Sequence, residues 1–222
     1  MQYLYHPDAA QPQIVLTGDA HRYLFKVRRH RAGESVYLRN LQDGILYRYQ
    51  IETMDRRTAS LRLQESRSLE VKAARALHLG WCVIDPKSIE KILPSLNESG
   101  VERITFIYCH RSQKSFKPDL KRLEKILLNS SQQCGRSEMM QLEIIASLEQ
   151  FLERYPEAVM LHFSPRPLLP SCSAAEIVIG CEGGFSEEEV ALFAPEALRG
   201  LQSPLILRSE SAAMAVASKL LL

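Results

Sequence analysis

The stretch Ile179-Gly180-Cys181-Glu182-Gly183-Gly184-Phe185-Ser186 decides the fold, because it joins an apolar strand to a helix through a pair of glycines. Glycines let the backbone turn sharply and let a ligand approach it closely. Ser186 is a favourable N-cap, and Glu189 three residues later completes the pattern of a capping box. This glycine loop therefore predicts a strand–turn–helix junction that can bind a ligand, although a glycine pair alone also occurs in many tight turns.

Apolar runs like the one before the glycine loop recur along most of the chain and alternate with helical segments. Such alternation predicts an α/β domain with a mainly parallel sheet. One helix is predicted to begin after Pro118-Asp119 and to end at Gly135. The predicted strands are residues 77–84, 104–108, 142–145, 159–163, 177–180 and 205–207.

The first 70 residues have a different rhythm. Short runs rich in Val, Ile, Tyr and Leu occupy residues 35–38, 46–51 and 59–63, with Asp43-Gly44 as a turn signal between the first two. Strands this short and this closely spaced predict a small barrel or sandwich. The change of rhythm places the boundary between two domains near residues 66–75.

A second polar turn near the C-terminus repeats the arrangement of the glycine loop. Leu207-Arg208-Ser209-Glu210-Ser211-Ala212-Ala213 joins the apolar run 205–207 to a helix rich in small residues. By itself this segment is typical of an ordinary last helix with a good cap. Two such junctions on one parallel sheet can, however, face each other across a crevice at the carboxyl ends of the strands.

Acidic residues around the glycine loop restrict the class of ligand. Glu182 lies in the loop, and residues 187–189 in the first helical turn are all glutamates. A phosphate site usually leaves the helix N-terminus free and supplies Lys or Arg, so these carboxylates would repel a polyphosphate. A ligand with a neutral purine and a cationic centre, such as S-adenosylmethionine with its sulfonium, fits better than ATP or NAD.

Basic residues are concentrated in the N-terminal part of the chain. Residues 1–70 contain 11 Lys and Arg against eight Asp and Glu, a net charge of +3, whereas the remaining residues carry −1. The run 21–31 holds five Lys or Arg, two His and two aromatic residues, and no acid. It can bind RNA phosphates and stack on bases, or it can be a merely solvated helix.

A polar stripe along the helix predicted after Pro118 has the same two interpretations, a solvated face or an RNA surface. The stripe consists of Arg122, Asn129, Gln133 and Arg136.

Several classes of protein are excluded by composition and spacing. No window approaches the roughly 20 apolar residues that span a bilayer, so we expect no membrane segment. The sequence has no CxxC pair or zinc-ligand set, and we expect no metal site. Cys82 and Cys109 lie in apolar runs and are interpreted as buried, reduced thiols of a cytoplasmic protein. His78, His110 and His162, which are isolated among apolar residues, are interpreted as core histidines.

These segments together resemble the bacterial 16S rRNA uridine-N3 methyltransferases known as RsmE. The glycine loop and the second junction match the C-terminal motifs of that family, and Arg111-Ser112 matches a shorter motif. His21…Val27-Arg28-Arg29…Gly33-Glu34 is similar to its N-terminal motif, and Arg122…Ile126…Gln132-Gln133-Cys134-Gly135-Arg136 to its central helix. The positions at which the chain departs from the usual residues of the family are Cys181, Ser203, Leu205, Ser209 and Ser211.

The resemblance implies a fold, a reaction and an assembly. The implied fold class is α/β, with a SPOUT-type knotted parallel-sheet domain in residues 71–222 that carries a C-terminal trefoil knot. A small PUA-like β-barrel that binds RNA precedes it in residues 1–70. The implied reaction is S-adenosylmethionine-dependent methylation of N3 of a specific uridine in the decoding region of 16S rRNA, on the small ribosomal subunit. The family is dimeric, so a homodimer is expected.

Candidate site residues follow from the resemblance and from the charges. The expected cofactor contacts are Leu161, His162, Ile179, Gly180, Glu182, Gly183, Gln202, Ser203, Leu207, Ser209 and Ala212. The expected RNA contacts are Arg22, Lys26, Arg28, Arg29, Arg31 and Arg122. For catalysis, Arg136 or Arg208 would stabilise an anionic uracil. Glu182 or Glu210 would hold the loop or accept the proton.

Two alternative functions stay open on the sequence. One is a non-catalytic RNA-binding factor that has lost its cofactor. The other is an RNA methyltransferase that acts on a different base or on ribose, which the fold alone does not distinguish.

Overall fold

The computed structural model describes residues 2–222, which form two compact units. The first unit contains the described residues up to Lys72 together with Ser131–Met139. The second contains Ala73–Ser130 and Met140–Leu222.

The first unit is built on one five-stranded sheet in the order β1-β3-β4-β5-β2. Its strands are β1 (Leu4–Tyr5), β2 (Gln13–Leu16), β3 (Ser35–Arg39), β4 (Ile45–Met54) and β5 (Ala59–Ser68). Neighbouring strands are antiparallel except for the parallel pair β1 and β3. Residues from all five strands, including the edge strands β1 and β2, pack into a single apolar cluster. The sheet therefore curls around its core as a half-barrel, and the three predicted strands are confirmed.

A short helix, α1 (Gly18–Arg22), leads directly into a π-helical turn at Tyr23–Val27. Leu24 from this turn is buried in the apolar cluster of the sheet. The turn between β3 and β4 is the predicted one: Gly44 has a φ of +67°, and the Asp43 carboxylate accepts a hydrogen bond from the Ile45 N–H at 2.9 Å.

The second unit contains a six-stranded sheet in the order β11-β9-β10-β6-β7-β8, in which every neighbouring pair is parallel. Its strands are β6 (His78–Cys82), β7 (Arg103–Ile107), β8 (Gln141–Ile145), β9 (Val159–Leu161), β10 (Glu176–Ile179) and β11 (Leu198–Arg199). Its helices are α2 (Pro86–Ser99), α3 (Leu120–Cys134), α4 (Leu148–Arg154), α5 (Glu187–Ala191) and α6 (Ser209–Leu221). The predicted parallel α/β architecture is confirmed.

The predicted strand at residues 205–207 is wrong. These residues form an irregular segment, in which Leu205 and Ile206 are 73% and 81% exposed. The sixth strand is β11, which pairs with β9 through Leu198 and Arg199. Strand β11 was missed because two residues are too few to show a periodic pattern. Residues 205–207 were predicted as a strand because an exposed apolar run has the same composition as a buried strand.

Helix α3 begins after Asp119 and ends before Gly135 as predicted, with Gly135 at a φ of +92°. Its last residues, from Ser131 onward, belong to the first unit. There the Gln132 carbonyl accepts the Tyr3 N–H at 3.2 Å, and the Arg136 carbonyl accepts the Tyr3 hydroxyl at 2.8 Å. Of the predicted polar stripe, Arg122, Asn129 and Gln133 are exposed while Arg136 is buried, so Arg136 does not share the solvated face.

Cys82 and Cys109 form a disulfide, so the interpretation of both as reduced thiols is wrong, although both are buried. Cys82 is the last residue of β6 and pairs with Ile107 at the end of β7, two residues before Cys109. The Cα atoms are therefore 5.7 Å apart, a separation that a disulfide requires. Parallel strand register brings together two cysteines that are 27 residues apart in sequence.

We expect the denatured chain to show three reactive thiols without reductant, those of Cys134, Cys172 and Cys181, because the disulfide occupies the other two. Thiol titration in denaturant measures this number, and reductant should raise it to the full set. The Cys82→Ser variant is the control, since it should release Cys109 and add one thiol to the oxidised count. A wild-type count that reductant does not change would contradict the bond.

His78 is buried in the second unit, as predicted for a core histidine. Its Nε2 lies 2.7 Å from the Thr105 hydroxyl, which itself donates to the Glu143 carboxylate at 2.7 Å. Because that hydroxyl proton is already used, Nε2 carries the proton and the ring is a neutral donor. Burial, helped by the positive charge of Arg103, lowers the pKa of His78 to about 4.

Stability should therefore fall as the pH drops from about 6.5 towards 4. In this window the unfolded chain takes up a proton on His78 that the folded chain refuses. We expect wild type to lose about 2 kcal/mol more unfolding free energy between pH 7 and pH 5 than the His78→Gln variant, which cannot titrate there. Urea unfolding at both pH values measures the difference, and equal losses in the two proteins would exclude this role.

Candidate functional site

A cavity of about 400 Å³ opens at the carboxyl ends of β9, β10 and β11. We call it the strand-end cavity, and its lining consists of residues 161–164, 179–182, 184–185, 200–203, 205–209 and 212. Segments 161–164, 179–182 and 200–203 contain or directly follow the ends of β9, β10 and β11, and segment 205–209 leads into α6. The cavity thus occupies the place where ligands bind in parallel α/β sheets.

The strand-end cavity brings together both polar junctions found in the sequence. Of the eleven residues expected to contact a cofactor, only Gly183 is outside the lining. The ten that line the cavity are Leu161, His162, Ile179, Gly180, Glu182, Gln202, Ser203, Leu207, Ser209 and Ala212. Their contact with a cofactor stays a prediction, but the fold places them around one space.

The hydroxyl of Ser209 connects three elements beneath this cavity. Ser209 is buried at the start of α6, and its Oγ accepts a hydrogen bond from the Trp81 indole N–H at 2.8 Å. The same hydroxyl donates to the carbonyl oxygen of Gly180, the residue after β10. One side chain therefore fixes β6, β10 and α6 to one another. Trp81 was not among the expected site residues, although it is the single tryptophan of the chain and lies in a strongly apolar run.

The glycine loop is held by the predicted capping box and by the segment that follows β7. The Ser186 hydroxyl accepts the Glu189 N–H at 3.2 Å, and the Glu189 carboxylate accepts the Ser186 N–H at 2.8 Å. The other oxygen of this buried carboxylate accepts the His110 N–H, also at 2.8 Å. Arg111 Nη1 donates to the Gly183 carbonyl at 2.8 Å. Arg111 belongs to the short motif noted in the sequence, but its role as a support of the loop was not foreseen.

The interpretation of His110 and His162 as core histidines is wrong. The His110 side chain is half-exposed and its Nδ1 lies 3.0 Å from the Ser186 hydroxyl, whereas His162 lines the strand-end cavity. Both residues follow buried strands, so their neighbours in the sequence are apolar although the residues themselves lie in loops.

Gly200 is required where two backbone segments lie closely side by side at the cavity, paired through a parallel β-bridge between Pro167 and Gly200. A Cβ atom at Gly200 would lie 2.2 Å from the Ser164 carbonyl oxygen, which no real side chain tolerates. The Gly200 N–H donates to the Arg166 carbonyl and its carbonyl accepts the Leu168 N–H, both at 2.8 Å. The sequence offered no periodic signal for this close contact.

The charge of the strand-end cavity is nearly balanced. Its charged lining residues are Glu182 and Arg208, both exposed, and no lysine lines it. Exposed apolar side chains, those of Phe163, Leu205 and Ile206, form much of the remaining wall. Desolvation raises the pKa of the Cys181 thiol, so this residue lines the cavity as a neutral group. Such a lining suits a ligand with a flat apolar part and a small net charge better than a polyphosphate.

The remaining predicted residues lie elsewhere. Arg136 belongs to the first unit, where it is buried with Nη2 3.7 Å from the Glu138 carboxylate. Glu210 is half-buried in the first turn of α6, outside the cavity lining. Arg122 is exposed on α3 and forms an ion pair of 2.6 Å with Glu90. The basic residues of the first unit that were expected to bind RNA are all exposed; they are Arg22, Lys26, Arg28, Arg29 and Arg31.

Comparison with known proteins identifies the family. A family model described as an RNA methyltransferase domain matches residues 71–221, and one described as an RNA methyltransferase PUA domain matches residues 16–64. The ribosomal RNA small subunit methyltransferase E of Helicobacter pylori is 39% identical over 222 residues, which covers 98% of each chain. The chain belongs to the ribosomal RNA small subunit methyltransferase E family.

Solved structures share the fold over almost the whole chain. The methyltransferase E of Neisseria gonorrhoeae, crystallised with S-adenosyl methionine, superposes with a TM-score of 0.82 at 20% identity, covering 98% of this chain and 95% of that one. A Legionella pneumophila protein in complex with the bound cofactor SAM gives a TM-score of 0.81 at 24% identity, covering 97% and 95%. The predicted RsmE-type fold, a PUA-type unit followed by a parallel α/β unit, is confirmed.

Residues 2–222 contain no helix that is both long and apolar enough to cross a membrane. Within the same part of the chain, no cluster of His, Cys, Asp and Glu could hold a metal ion.

We expect the Ser209→Ala substitution to destabilise this member of the methyltransferase E family by about 1–3 kcal/mol, because it leaves the Trp81 N–H and the Gly180 carbonyl buried without their partner. Ser209→Thr is the matched control, since it keeps the hydroxyl. Urea unfolding of the three proteins measures the loss. An alanine variant as stable as wild type would show that the hydroxyl holds nothing.

Proposed function

We propose that the protein transfers the methyl group of S-adenosylmethionine to N3 of a uridine in the decoding region of 16S rRNA, acting on the small ribosomal subunit in the cytoplasm. The observation that carries the proposal is the strand-end cavity, which the two family motifs form together. Family membership supports the reaction class, and the balanced charge of the lining supports the cofactor.

The residues of the strand-end cavity fit S-adenosylmethionine. Apolar walls from Leu161, Ile179 and Leu207 suit the adenine, and backbone groups at the ends of β9 and β10 can hydrogen-bond its edge. The Glu182 carboxylate offers the negative charge that a sulfonium requires. When bound, the cofactor supplies an electrophilic methyl group on that sulfonium. Ser203 and Leu205, which depart from the usual family residues, also line the cavity, so the departures change side chains of its wall.

Arg208 is the stronger of the two arginine candidates for catalysis. It is exposed and lines the cavity, whereas Arg136 is buried and interacts with Glu138. Uracil N3 must lose its proton before its lone pair can form the new N–C bond as the S–CH3 bond breaks. A guanidinium beside the ring favours the anionic uracil and lowers the pKa of N3. Glu182 is likewise a stronger candidate than Glu210 for the group that accepts the proton, because Glu182 lines the cavity and Glu210 does not.

We expect Arg208→Ala to slow methyl transfer on the order of 10²-fold or more, as loss of a positioned stabilising donor does in other enzymes. Arg208→Lys, which keeps the charge but not the planar fork, should be intermediate. Single-turnover transfer to small ribosomal subunits from a deletion strain measures the rate, with the modified nucleotide mapped in the rRNA. Calorimetric titration with the cofactor checks that binding survives.

The outcomes separate the proposal from its alternatives. Wild-type turnover by both Arg208→Ala and Arg136→Ala would exclude the arginine mechanism. No heat and no thermal shift with S-adenosylmethionine would indicate a non-catalytic RNA-binding factor. A methyl group mapped to ribose or to another base would replace the N3 assignment.

A second copy of the chain is proposed to cover the exposed apolar residues around the cavity. Leu205, Ile206 and Phe163 are each more than 70% exposed, which is unusual for a large apolar cluster without a partner. The resemblance also implies a C-terminal trefoil knot, which is proposed for the segment that includes these residues.

Ile206→Asp should convert the homodimer to a monomer, because burying a carboxylate in an apolar interface is costly. Sedimentation velocity measures the assembly. Val15→Asp, at another exposed apolar residue, on β2, is the control and should leave the dimer intact. A wild-type chain that is already monomeric would contradict the proposal.

A further inference from the structure

A second, smaller cavity lies wholly within the first unit, and the proposed reaction does not use it. It has a volume of about 180 Å³, and Tyr3, Tyr23, Arg28 and Tyr37 contribute to its walls. Buried aliphatic side chains, among them Leu24 and Val36, also line this tyrosine cavity. None of its lining residues is acidic. Its volume is below that of a site for a drug-sized molecule and suits one ring.

The π-helical turn at Tyr23–Val27 creates one wall of the tyrosine cavity. Residues five apart on a regular α-helix point roughly 140° away from each other. Here the Arg28 N–H donates to the Tyr23 carbonyl at 2.9 Å, which closes the wider π-turn and puts the two side chains together. The Arg28 guanidinium consequently lies over the Tyr23 ring, 5.3 Å from its centroid, and Nε donates to the Tyr23 hydroxyl at 2.9 Å.

The backbone beyond this wall is strained. Arg29 has a φ of +61°, a region that side chains other than glycine rarely occupy. This residue reverses the chain so that the His30 N–H reaches the Leu24 carbonyl at 3.1 Å. A π-turn and a strained residue cost stability and tend to persist where a site needs them. Both lie in the run 21–31, where the π-turn builds the arginine–tyrosine wall and Arg29 turns the chain directly after it.

We infer that the tyrosine cavity binds one unpaired nucleobase of the RNA substrate. Partly exposed aromatic rings at Tyr23 and Tyr37, with a guanidinium on one of them, are the groups on which proteins stack single-stranded bases. The exposed basic residues of the same run supply charges for the flanking phosphates. A base with carbonyl oxygens on its edge suits the cavity, because Arg28 is a donor without an acceptor.

The inference rests on the proposed function only in taking RNA as the ligand, and its test is binding rather than methylation. The full chain is titrated with a labelled single-stranded uridine-rich RNA and with a strand of the same length whose nucleotides are abasic. Wild type should bind the intact strand on the order of tenfold more tightly, since only the base contacts differ. Equal affinities would overturn the inference.

Tyr37→Leu should abolish this preference for the intact strand, whereas Tyr37→Phe, which keeps the ring, should retain it. The salt dependence of binding should not change in Tyr37→Leu, because no charge is removed. Arg56→Ala is the control, at an exposed arginine between β4 and β5 outside the cavity. It should leave the ratio of the two affinities unchanged. If Tyr37→Leu kept the wild-type ratio of affinities for the intact and the abasic strand, the inference would be overturned.

Two measurements keep the result independent of folding and of the proposed function. If Tyr37→Leu lacks the circular dichroism spectrum of wild type, Arg28→Lys takes its place, because it keeps the charge and removes the planar guanidinium. The Arg28→Lys variant should also show a smaller ratio of affinities for the intact and the abasic strand, and an unchanged ratio would overturn the inference. Wild type is also assayed for methyl transfer to small subunits. If it discriminates the two strands but methylates nothing, the proposed function fails while the cavity assignment stands.

Discussion

The buried hydroxyl of Ser209, between the Trp81 indole and the Gly180 carbonyl, is the contact on which the strand-end cavity depends. It joins a strand, the glycine loop and the last helix, which are far apart in sequence. Each partner is a polar group that would otherwise be buried unpaired at a cost of roughly 1–3 kcal/mol. The glycine loop is fixed from its other end by the Glu189 carboxylate. A loop held at both ends can present its backbone to a ligand without paying to order it first.

Local chemistry made much of this fold predictable. The capping box at Ser186, the ends of α3 and the Asp43-Gly44 turn depend on neighbours in sequence, so composition and spacing were enough to find them. Features set by contacts between distant segments were not predictable. The disulfide between Cys82 and Cys109, and the membership of Ser131–Met139 in the first unit, both depend on which distant segments lie side by side.

The same distinction explains the site. The residues of the two junctions were found from their motifs, and for the glycine loop the rule that ligands bind where parallel strands end gave the right place. The same rule was applied to the second junction through a strand at 205–207 that does not exist, so there the motif alone was correct. Arg111 and Gly200 were missed because each is defined by one contact across a large sequence separation, with Gly183 and Ser164 respectively. The tyrosine cavity could not be predicted from the sequence for a further reason. A regular α-helix would place Tyr23 and Arg28 on different faces, and only the π-turn brings their side chains together.

The two units differ in the ligand that their charges can hold. The strand-end cavity has one glutamate and one arginine, so it gains little from a polyanion and can hold a neutral ring beside a single charge. The first unit exposes five basic residues between Arg22 and Arg31, of which Arg28 lines a cavity without an acid, and this suits a polyanion with unpaired bases. Affinity for RNA should depend on salt through the basic residues of the first unit, whereas cofactor affinity should not. Because the two sets of charged groups belong to different units, substitutions can alter RNA recognition and methyl transfer one at a time.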